Sequence, residues 1–486
     1  MDNDKKDVEV KYTVVIGEDH GLEIADVQAN PRRIHLFSSI AILNIAYVVL
    51  GTTFAWSSPM LLKLQLPSDD ASTVASTISL GGMIGPFVTG AIVDRLGRKG
   101  TTAVSMGLTT GSYLLLTVGR SVLVLSAGRF LAGLSFGIVF SAVPMYIAEI
   151  SEDSVRGVLN TLNMISIASG SLLMFGVAPF VSYELIHYLI LGLCSLFFLL
   201  FPLLPESPHY LVMKDKTKRA RTILTWLRED QPAPYVEIQL QIIQKTMTQE
   251  EQQPLLRTAL ELFSLPGNHR AFIICFTLIV LQQLTGITIV VFYLQEIIKM
   301  TRVDFSSSTC SIAVGLVKLV AGFICPLAVR YFGYKRTLMG STFGTAVGMG
   351  GLGVFFSLKS NNFDVNSMAW LPLFSVGVYF FSFVAGLSSI PWALTGELFP
   401  SNVKSIATCL ITASSAFLSF VSGKFFPNLI DLIGIDFLFF SCSLFGCFSV
   451  VFIVLVVDET SGLSFVQIQE LLNGRKRKEV LLEQPN

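Results

Sequence analysis

Apolar stretches, each long enough to cross about 30 Å of hydrocarbon as a helix, recur along the chain in two sets of six. The first set is predicted at residues 37–60, 72–93, 101–119, 122–148, 158–182 and 186–204. The second set is predicted at residues 270–297, 308–329, 337–358, 368–396, 405–430 and 436–457. The pattern therefore predicts an all-α membrane protein with twelve transmembrane helices in two six-helix bundles.

Polar segments separate and flank these two sets. Residues 1–31 carry alternating charge and little apolar clustering, which is typical of a mobile tail. Residues 213–268 show helical periodicity but are too charged to span, so they predict short amphipathic helices on the membrane face. The predicted parts are a tail at 1–31, a bundle at 32–212, an intracellular helical domain at 213–268, a bundle at 269–460 and a tail at 461–486.

The composition agrees with a membrane protein and excludes several other classes. Of the 486 residues, 52% are hydrophobic and 14% are charged, and the mean hydropathy is +0.64. The net charge of zero argues against nucleic acid as a partner. The sequence shows no metal-ligand spacing, phosphate-binding loop or nucleophile beside a base. We therefore expect no enzyme, metal or cofactor, and a monomer whose partners are a small solute and membrane lipid.

Basic residues are unevenly distributed between the predicted loops. One set of loops is rich in cations, namely Arg95, Arg98, Lys99, Arg156, Arg330, Lys335, Arg336, Lys404 and the run at 475–478. The other set has fewer, namely Lys63, Arg120, Lys299, Arg302 and Lys359. Because cytosolic loops carry the excess of lysine and arginine, both termini and the central polar segment are predicted to be cytosolic, in a multi-pass protein of the cell membrane.

The cytosolic end of span four is repeated in the second half of the chain. Pro144 is predicted to break span four near its exit, and Glu149 and Arg156 follow seven residues apart, nearly on one face of a helix. Glu397 and Lys404 repeat the acid and the base at the same separation. The chain therefore consists of two related halves, with a binding site expected near the midplane between them.

Charged turns follow spans two and eight. The first, GAIVDRLGRKG, contains Asp94, Arg95 and Arg98, and its cations can pair with Glu149 to form a latch, meaning ion pairs that hold one face closed. The alternative is a loop that only sets orientation. The second turn has Tyr334 in place of Arg98, so its latch should be weaker or formed by different pairs of residues. The other predicted latch residues are Arg156, Glu206, Arg336, Glu397, Lys404 and Glu459.

Span seven contains the richest polar cluster, QQLTGITIVVFY. Amides in hydrocarbon must be satisfied internally, and neutral amides, hydroxyls and aromatic rings suit a polyhydroxylated solute. Gln282, Gln283, Thr288 and Tyr293 are therefore predicted to contact the substrate. The alternative is that they hydrogen-bond neighbouring helices. In span ten, a helix predicted to be broken at Pro391 presents Trp392 as a stacking surface; the alternative is simple packing.

Lys318 lies about ten residues from either end of span eight, too deep for its side chain to reach an interface. An intramembrane lysine faces a cavity or a partner by default. It is predicted to border the central cavity, where it would hydrogen-bond a sugar or favour an anionic solute. The alternative is a lysine that pairs with nearby hydroxyls.

Several motifs together resemble those of the sugar porters of the major facilitator superfamily, and most of all the insect facilitated trehalose and glucose transporter branch. They are DRLGRK, the segment from Gly133 to Arg156, PESPHYL, QQLTGI, IPW and DETSGLS. The resemblance implies the major facilitator fold and alternating access by rocking of two halves, with facilitative transport of a sugar such as trehalose or a hexose. It also implies that Gln282, Gln283 and Trp392 bind sugar and that the charged helix ends form the cytosolic latch.

The chain departs from this family pattern within the expected site. Thr288 stands where the family usually has asparagine, Ser388 and Ser389 replace a Gly-Pro pair, and Ser415 and Ala416 replace an Asn-Trp pair. The predicted site therefore offers fewer amide contacts than a standard hexose site.

Span one contains no acidic residue opposite Arg129 of span four, which favours passive transport over proton coupling. The alternatives are a proton-coupled sugar symporter, a carrier of an anionic solute that uses Lys318, and a non-transporting sugar sensor.

Overall fold

The computed structural model describes residues 13–16, 22–25, 33–229, 231–249, 255–301, 307–460 and 465–473. Within these ranges, the side chains of both strands and of residues 153, 154, 156–158, 160, 161, 246–249, 255–259, 307, 308, 366, 401, 402, 465 and 466 lie outside the description.

The first bundle is built from six helices that follow one another through short connections. Their bounds are α1 Ile34–Ala55, α2 Ser57–Leu64, α3 Ser68–Val118, α4 Val122–Ile150, α5 Asp153–Val177 and α6 Tyr183–Leu200, with a 3-10 turn at Phe201–Leu203. Helices α1 and α2 together form the first span.

The second bundle has the same organisation. Its helices are α11 Pro266–Leu284, α12 Ile287–Thr301, α13 Ser307–Ser360, α14 Leu371–Ser382, α15 Ile390–Leu398, α16 Ser401–Ile433 and α17 Ile435–Val456. A 3-10 turn at Asn366–Met368 precedes α14, and a π-helical turn at Phe383–Leu387 follows it. The last described helix, α18 Phe465–Leu472, packs against α11 and α15.

The helices α3 and α13 each provide two spans. They contain 51 and 54 residues, and each turns back at a glycine in the left-handed region, Gly97 with φ 78° and Gly333 with φ 79°. Each of α3 and α13 counts as two spans, whereas α1 with α2, α11 with α12, and α14 with α15 each count as one. The described helices therefore supply twelve spans. The predicted all-α fold with two bundles of six is confirmed.

We call the side of the molecule that carries these two glycine turns the turn face, and the other side the opposite face. The central insert lies on the turn face as α7 Pro208–Met213, α8 Thr217–Leu227, α9 Ala233–Gln249 and α10 Leu255–Ser264. Helices α7 to α9 enclose a small core of their own, whereas α10 packs on α11 and α16 of the second bundle. The Arg228 guanidinium at the end of α8 donates to Ile150 O at 2.9 Å, which fastens the insert to the first bundle.

Two short strands precede the first bundle. Strand β1 Thr13–Ile16 pairs antiparallel with β2 Leu22–Ala25, with Thr13 opposite Ala25. The charge pattern of residues 1–31 predicts a mobile tail and gives no indication of this hairpin. Its segments, TVVI and LEIA, contain the β-branched residues that favour strands.

Three local expectations are wrong. Helix α4 continues through Pro144 to Ile150, since a proline in an apolar bundle removes one backbone bond that neighbouring groups can compensate. Glu149 and Arg156 are not on one helix face, because α4 ends at Ile150 and α5 begins at Asp153. The break in span ten lies in the π-helical turn, and Pro391 occupies the first turn of α15, where a missing N–H costs no helical bond.

Candidate functional site

A chain of neutral polar side chains crosses from the second bundle to the first near the middle of the spans. Gln283 Nε2 donates to Ser415 Oγ at 2.9 Å, and Thr288 Oγ1 lies 3.1 Å from Gln283 Oε1 and 2.9 Å from Ser419 Oγ. Ser419 Oγ in turn lies 2.9 Å from Ser79 Oγ on α3. We call these five residues the central polar chain. It presents amide and hydroxyl groups, and none of its members carries a charge.

A break in span seven places Gln283 at this position. Helix α11 ends at Leu284, and Gly286 adopts φ 87° before α12 begins at Ile287. The Gly286 N–H donates to Gln283 O at 3.0 Å, so the main chain at the break remains partly satisfied. The break turns Thr288 back toward Gln283, five residues earlier, where an unbroken helix would separate the two by more than one turn.

The two adjacent glutamines have different neighbours. Gln282 is 3% exposed, and its Nε2 donates to Leu387 O at 2.6 Å in the π-helical turn of span ten. Successive helical residues point about 100° apart, so the pair cannot face one surface. The structure therefore places Gln282 in a contact between helices and Gln283, which is half-buried, in the central polar chain.

The two aromatic residues of the predicted site, Tyr293 and Trp392, each contact another aromatic ring. The Tyr293 hydroxyl donates to Gly423 O at 2.8 Å, and its ring stacks on Phe426 with centroids 4.5 Å apart. Trp392 is half-buried and meets the ring of Phe140 edge to face at 6.3 Å. Since Phe140 belongs to α4, this ring pair also connects the two bundles.

Lys318 lies apart from the central polar chain. It is 8% exposed, and its Nζ is 5.8 Å from the ring centre of Phe175 on α5 and 5.4 Å from that of Phe380 on α14. The two rings belong to different bundles. The ammonium is therefore held between aromatic faces at the bundle interface, an arrangement that stabilises a cation without a carboxylate.

On the turn face, Glu206 closes the first glycine turn. Its Oε1 accepts the backbone N–H groups of Arg98 at 3.1 Å, Lys99 at 3.2 Å and Ser207 at 2.8 Å. Burial raises the pKa of this carboxyl above its ordinary value, and the three N–H donors oppose that shift. A Cβ on Gly97 would lie 2.4 Å from Glu206 Oε2, so the turn accepts only glycine.

The second glycine turn repeats this arrangement. Glu459 accepts the N–H groups of Tyr334 and Lys335, each at 2.9 Å. A Cβ on Gly333 would lie 2.5 Å from Glu459 Oε2. The two carboxylates thus perform one role in the two halves.

The side chains beside the two turns differ. Arg98 Nε lies 2.8 Å from Glu149 Oε2 and Arg98 Nη1 lies 3.3 Å from Asp94 Oδ1, both within the first bundle. In the second bundle the Tyr334 hydroxyl donates to Glu397 Oε1 at 2.8 Å. The first turn therefore contains an ion pair where the second contains a neutral donor.

The remaining predicted latch residues contribute less in this structure. Arg95 and Arg336 are exposed, and within the described residues neither forms an ion pair. Lys404 Nζ donates to Gly396 O at 2.5 Å. The side chain of Arg156 lies outside the described residues, as does the basic run at 475–478. The described ion pairs on the turn face lie within one bundle, within the central insert, or between the insert and the first bundle, and none of them joins the two bundles.

Arg129 is fully buried in α4 without a carboxylate beside it among the described residues. Its Nη1 donates to Thr53 O at 2.8 Å and its Nη2 to Ser57 Oγ at 3.0 Å, while its guanidinium lies 4.9 Å from the ring centre of Trp56. Neutral acceptors and one aromatic face therefore surround this cation.

Sequence reasoning missed Ser79 and Ser419, the two members of the central polar chain that join the bundles. Ser415 and Ser419 are one helical turn apart on α16, and this spacing of hydroxyls within an apolar span was the available signal. Within the described residues, no group of three or more His, Cys, Asp or Glu side chains is placed to hold a metal ion.

Comparison with known proteins identifies the family. The family model described as "Sugar (and other) transporter" matches residues 38–472. The facilitated trehalose transporter Tret1 of Drosophila grimshawi is 30% identical over 468 residues, which cover 94% of this chain and 50% of that protein. Tret1 of Bombyx mori is 30% identical over 451 residues, which cover 91% of this chain and 88% of that protein. The chain thus spans about half the length of the Drosophila relatives.

Solved structures show the same fold. The proton:xylose symporter XylE of the major facilitator superfamily, bound to 6-bromo-6-deoxy-D-glucose, aligns with a TM-score of 0.72 at 20% identity, covering 90% of this chain and 99% of that chain. The inward open conformation of XylE from E. coli aligns with a TM-score of 0.73 at 21% identity and the same coverage. The chain has the fold of the major facilitator superfamily and belongs to the sugar transporter family.

Proposed function

We propose that this protein carries a neutral sugar, such as trehalose or a hexose, across the membrane by facilitative alternating access. The observation that supports this most is the central polar chain, because its amide and hydroxyls join both bundles and carry no charge. Each sugar hydroxyl can both donate and accept, so it can replace a contact such as that between Thr288 and Gln283. Two relatives named above are facilitated trehalose transporters, which agrees with this proposal.

The proposed cycle alternates between contacts on the two faces. At the opposite face the bundles touch: Gln295 N donates to Ser58 Oγ at 3.1 Å across the interface, and Phe54 meets Phe292 at 5.8 Å. At the turn face, none of the described ion pairs joins the two bundles. This pattern supports a state that is closed at the opposite face and released at the turn face. We propose that the turn face is cytosolic, as the distribution of basic residues indicates.

Sugar specificity is tested most directly by uptake into proteoliposomes. Labelled trehalose, glucose, fructose and polyols would be compared with a charged sugar acid as a negative control. Saturable uptake of at least one neutral sugar, which an excess of the same unlabelled sugar inhibits, is the expected result. Binding of a sugar without any movement across the membrane would instead indicate a sensor.

Uptake is expected to be independent of a proton gradient. A symporter needs a titratable acid inside the membrane, whereas neutral acceptors surround the buried Arg129. The internal sugar concentration should therefore rise only to the external concentration, with an initial rate that changes less than about twofold when a protonophore is added. Accumulation above the external concentration that the protonophore abolishes would contradict uniport.

Lys318 is retained as a proposed sugar contact, together with Trp392, because each belongs to the second bundle and lies beside an aromatic ring of the first, namely Phe175 for Lys318 and Phe140 for Trp392. Separation of the bundles would expose these two side chains to the transport path of the sugar between the bundles. Unchanged uptake in a Lys318→Met variant would remove this lysine from the site. We further propose that the protein acts as a monomer in the cell membrane, with residues 213–268 as a cytosolic helical domain.

A further inference from the structure

Spans two and eleven meet along a line of small residues that runs from the middle of the spans to the opposite face. Ser79 and Ser419 are hydrogen-bonded at 2.9 Å, and a Cβ on Gly423 would lie 3.5 Å from Ser76 Cβ. Along α3 the contact positions are three or four residues apart, and so are those along α16. This contact, which we call the outer seam, brings one helix of each bundle together closely because neither presents a large side chain there.

Lys424 lies at the outer end of this seam. From α16 its Nζ donates to three acceptors at the start of α3: Thr73 Oγ1 at 2.7 Å, Ser72 Oγ at 3.2 Å and Asp69 O at 3.2 Å. Lys424 is half-buried and Ser72 is fully buried. A single ammonium thus connects the second bundle to the first turn of a first-bundle helix.

The acceptors of Lys424 are all neutral in these contacts. Asp69 contributes its main-chain oxygen, and the other two acceptors are hydroxyls. Hydrogen bonds from a charged donor are stronger than neutral ones. However, without a paired carboxylate the ammonium can exchange these acceptors for water when the bundles part. Such a contact favours the closed state while allowing it to open in every cycle.

We propose that Lys424 is a positioning residue for transport, which holds the outer seam shut and thereby sets the balance between the outward-open and inward-open states. This inference rests on the proposed alternating access. Removal of the three hydrogen bonds is expected to shift this balance toward the outward-open state by about tenfold.

The test measures the opening of the seam without requiring transport. The full chain, carrying Ser76→Cys as a reporter beneath Lys424, is reconstituted in liposomes and labelled from outside with a membrane-impermeant maleimide. The same chain without the reporter gives the background from the seven native cysteines. The rate of labelling should rise about tenfold when Lys424→Gln is added, because the reporter is reached only when the seam opens.

Three further variants keep the inference falsifiable. Lys63→Gln is the matched control, since Lys63 also lies at the opposite face but donates to Val181 O inside the first bundle, and it should leave the rate unchanged. Lys424→Arg retains the donors and should stay close to the parent. Thr73→Val removes one acceptor and should raise the rate about threefold, which tests the seam even if Lys424→Gln does not fold.

Two outcomes would overturn the inference. The first is a labelling rate in Lys424→Gln within twofold of the parent, and the second is an equal rise in Lys63→Gln. In active protein, the Michaelis constant for sugar entry should also fall in Lys424→Gln while that for exit rises. If no sugar is transported but labelling responds as expected, the proposed function fails and the role of Lys424 in closing the seam stands.

Discussion

Replacement of Gln283 by leucine is expected to reduce kcat/KM for sugar uptake by about 30-fold or more. Leucine is similar in size and fits a transmembrane helix, but it removes the amide that donates to Ser415 and accepts from Thr288. In the proposed function, sugar hydroxyls replace these two contacts, so the variant loses two hydrogen bonds to the sugar of about 1 kcal/mol each, which is about 2 kcal/mol or roughly 30-fold. The measurement is the initial rate of uptake as a function of sugar concentration in proteoliposomes of matched protein content.

The neighbouring residue provides the matched control for this prediction. Gln282→Leu leaves the buried Leu387 carbonyl without its side-chain donor, so it should lower the midpoint of thermal unfolding. Its effect on the Michaelis constant should be smaller than that of Gln283→Leu. If both substitutions change sugar affinity equally, the separation of the two amides into a helix contact and a sugar contact is wrong.

Substitution of Gly97 by alanine is expected to destabilise the first bundle by about 3–5 kcal/mol and to abolish transport. The positive φ costs an L-residue about 1–2 kcal/mol, and the added Cβ would move the Glu206 carboxylate far enough to lose one of its N–H hydrogen bonds, worth about 1.5–3 kcal/mol. Thermal unfolding in detergent, followed by loss of the monodisperse species, should show a midpoint roughly 10 °C or more below that of the parent.

Two other glycines of the same helix serve as controls. A Cβ on Gly107 or on Gly111 meets no atom within 4 Å. Alanine at either position should therefore be neutral or stabilise the helix by up to about 1 kcal/mol. An unfolding midpoint for Gly97→Ala that matches those of Gly107→Ala and Gly111→Ala would show that the turn does not require glycine.

The bundle architecture was predictable from the sequence because an apolar run of about 20 residues has few alternatives to a spanning helix. The correspondence between the two turns was also readable, since Gly97 and Gly333 occur in similar motifs. The sequence could not show that each reversal takes place at one glycine, the single residue with non-helical φ and ψ inside α3 and inside α13. The sequence also could not show that α4 continues through Pro144, because compensation for the lost backbone hydrogen bond depends on neighbouring groups in the tertiary structure.

The candidate site was predictable in its residue types but not in its orientations. The polarity of span seven identified the segment, but the break at Gly286 determines which amide reaches the central polar chain. Ser79 and Ser419 lie 340 residues apart, and nothing local indicates that two serines in separate bundles will meet. Such contacts between bundles follow from the tertiary arrangement alone.

The two glycine turns have the same backbone structure, but the side chains beside them differ in charge between the two halves of the protein. Glu206 and Glu459 bind main-chain N–H groups, which every residue except proline supplies, so the identity of the side chain at positions 98 and 334 is left open. An arginine occupies one position and a tyrosine the other. Exchanging these two residues should therefore alter how strongly each lobe responds to ionic strength while leaving both hairpins intact.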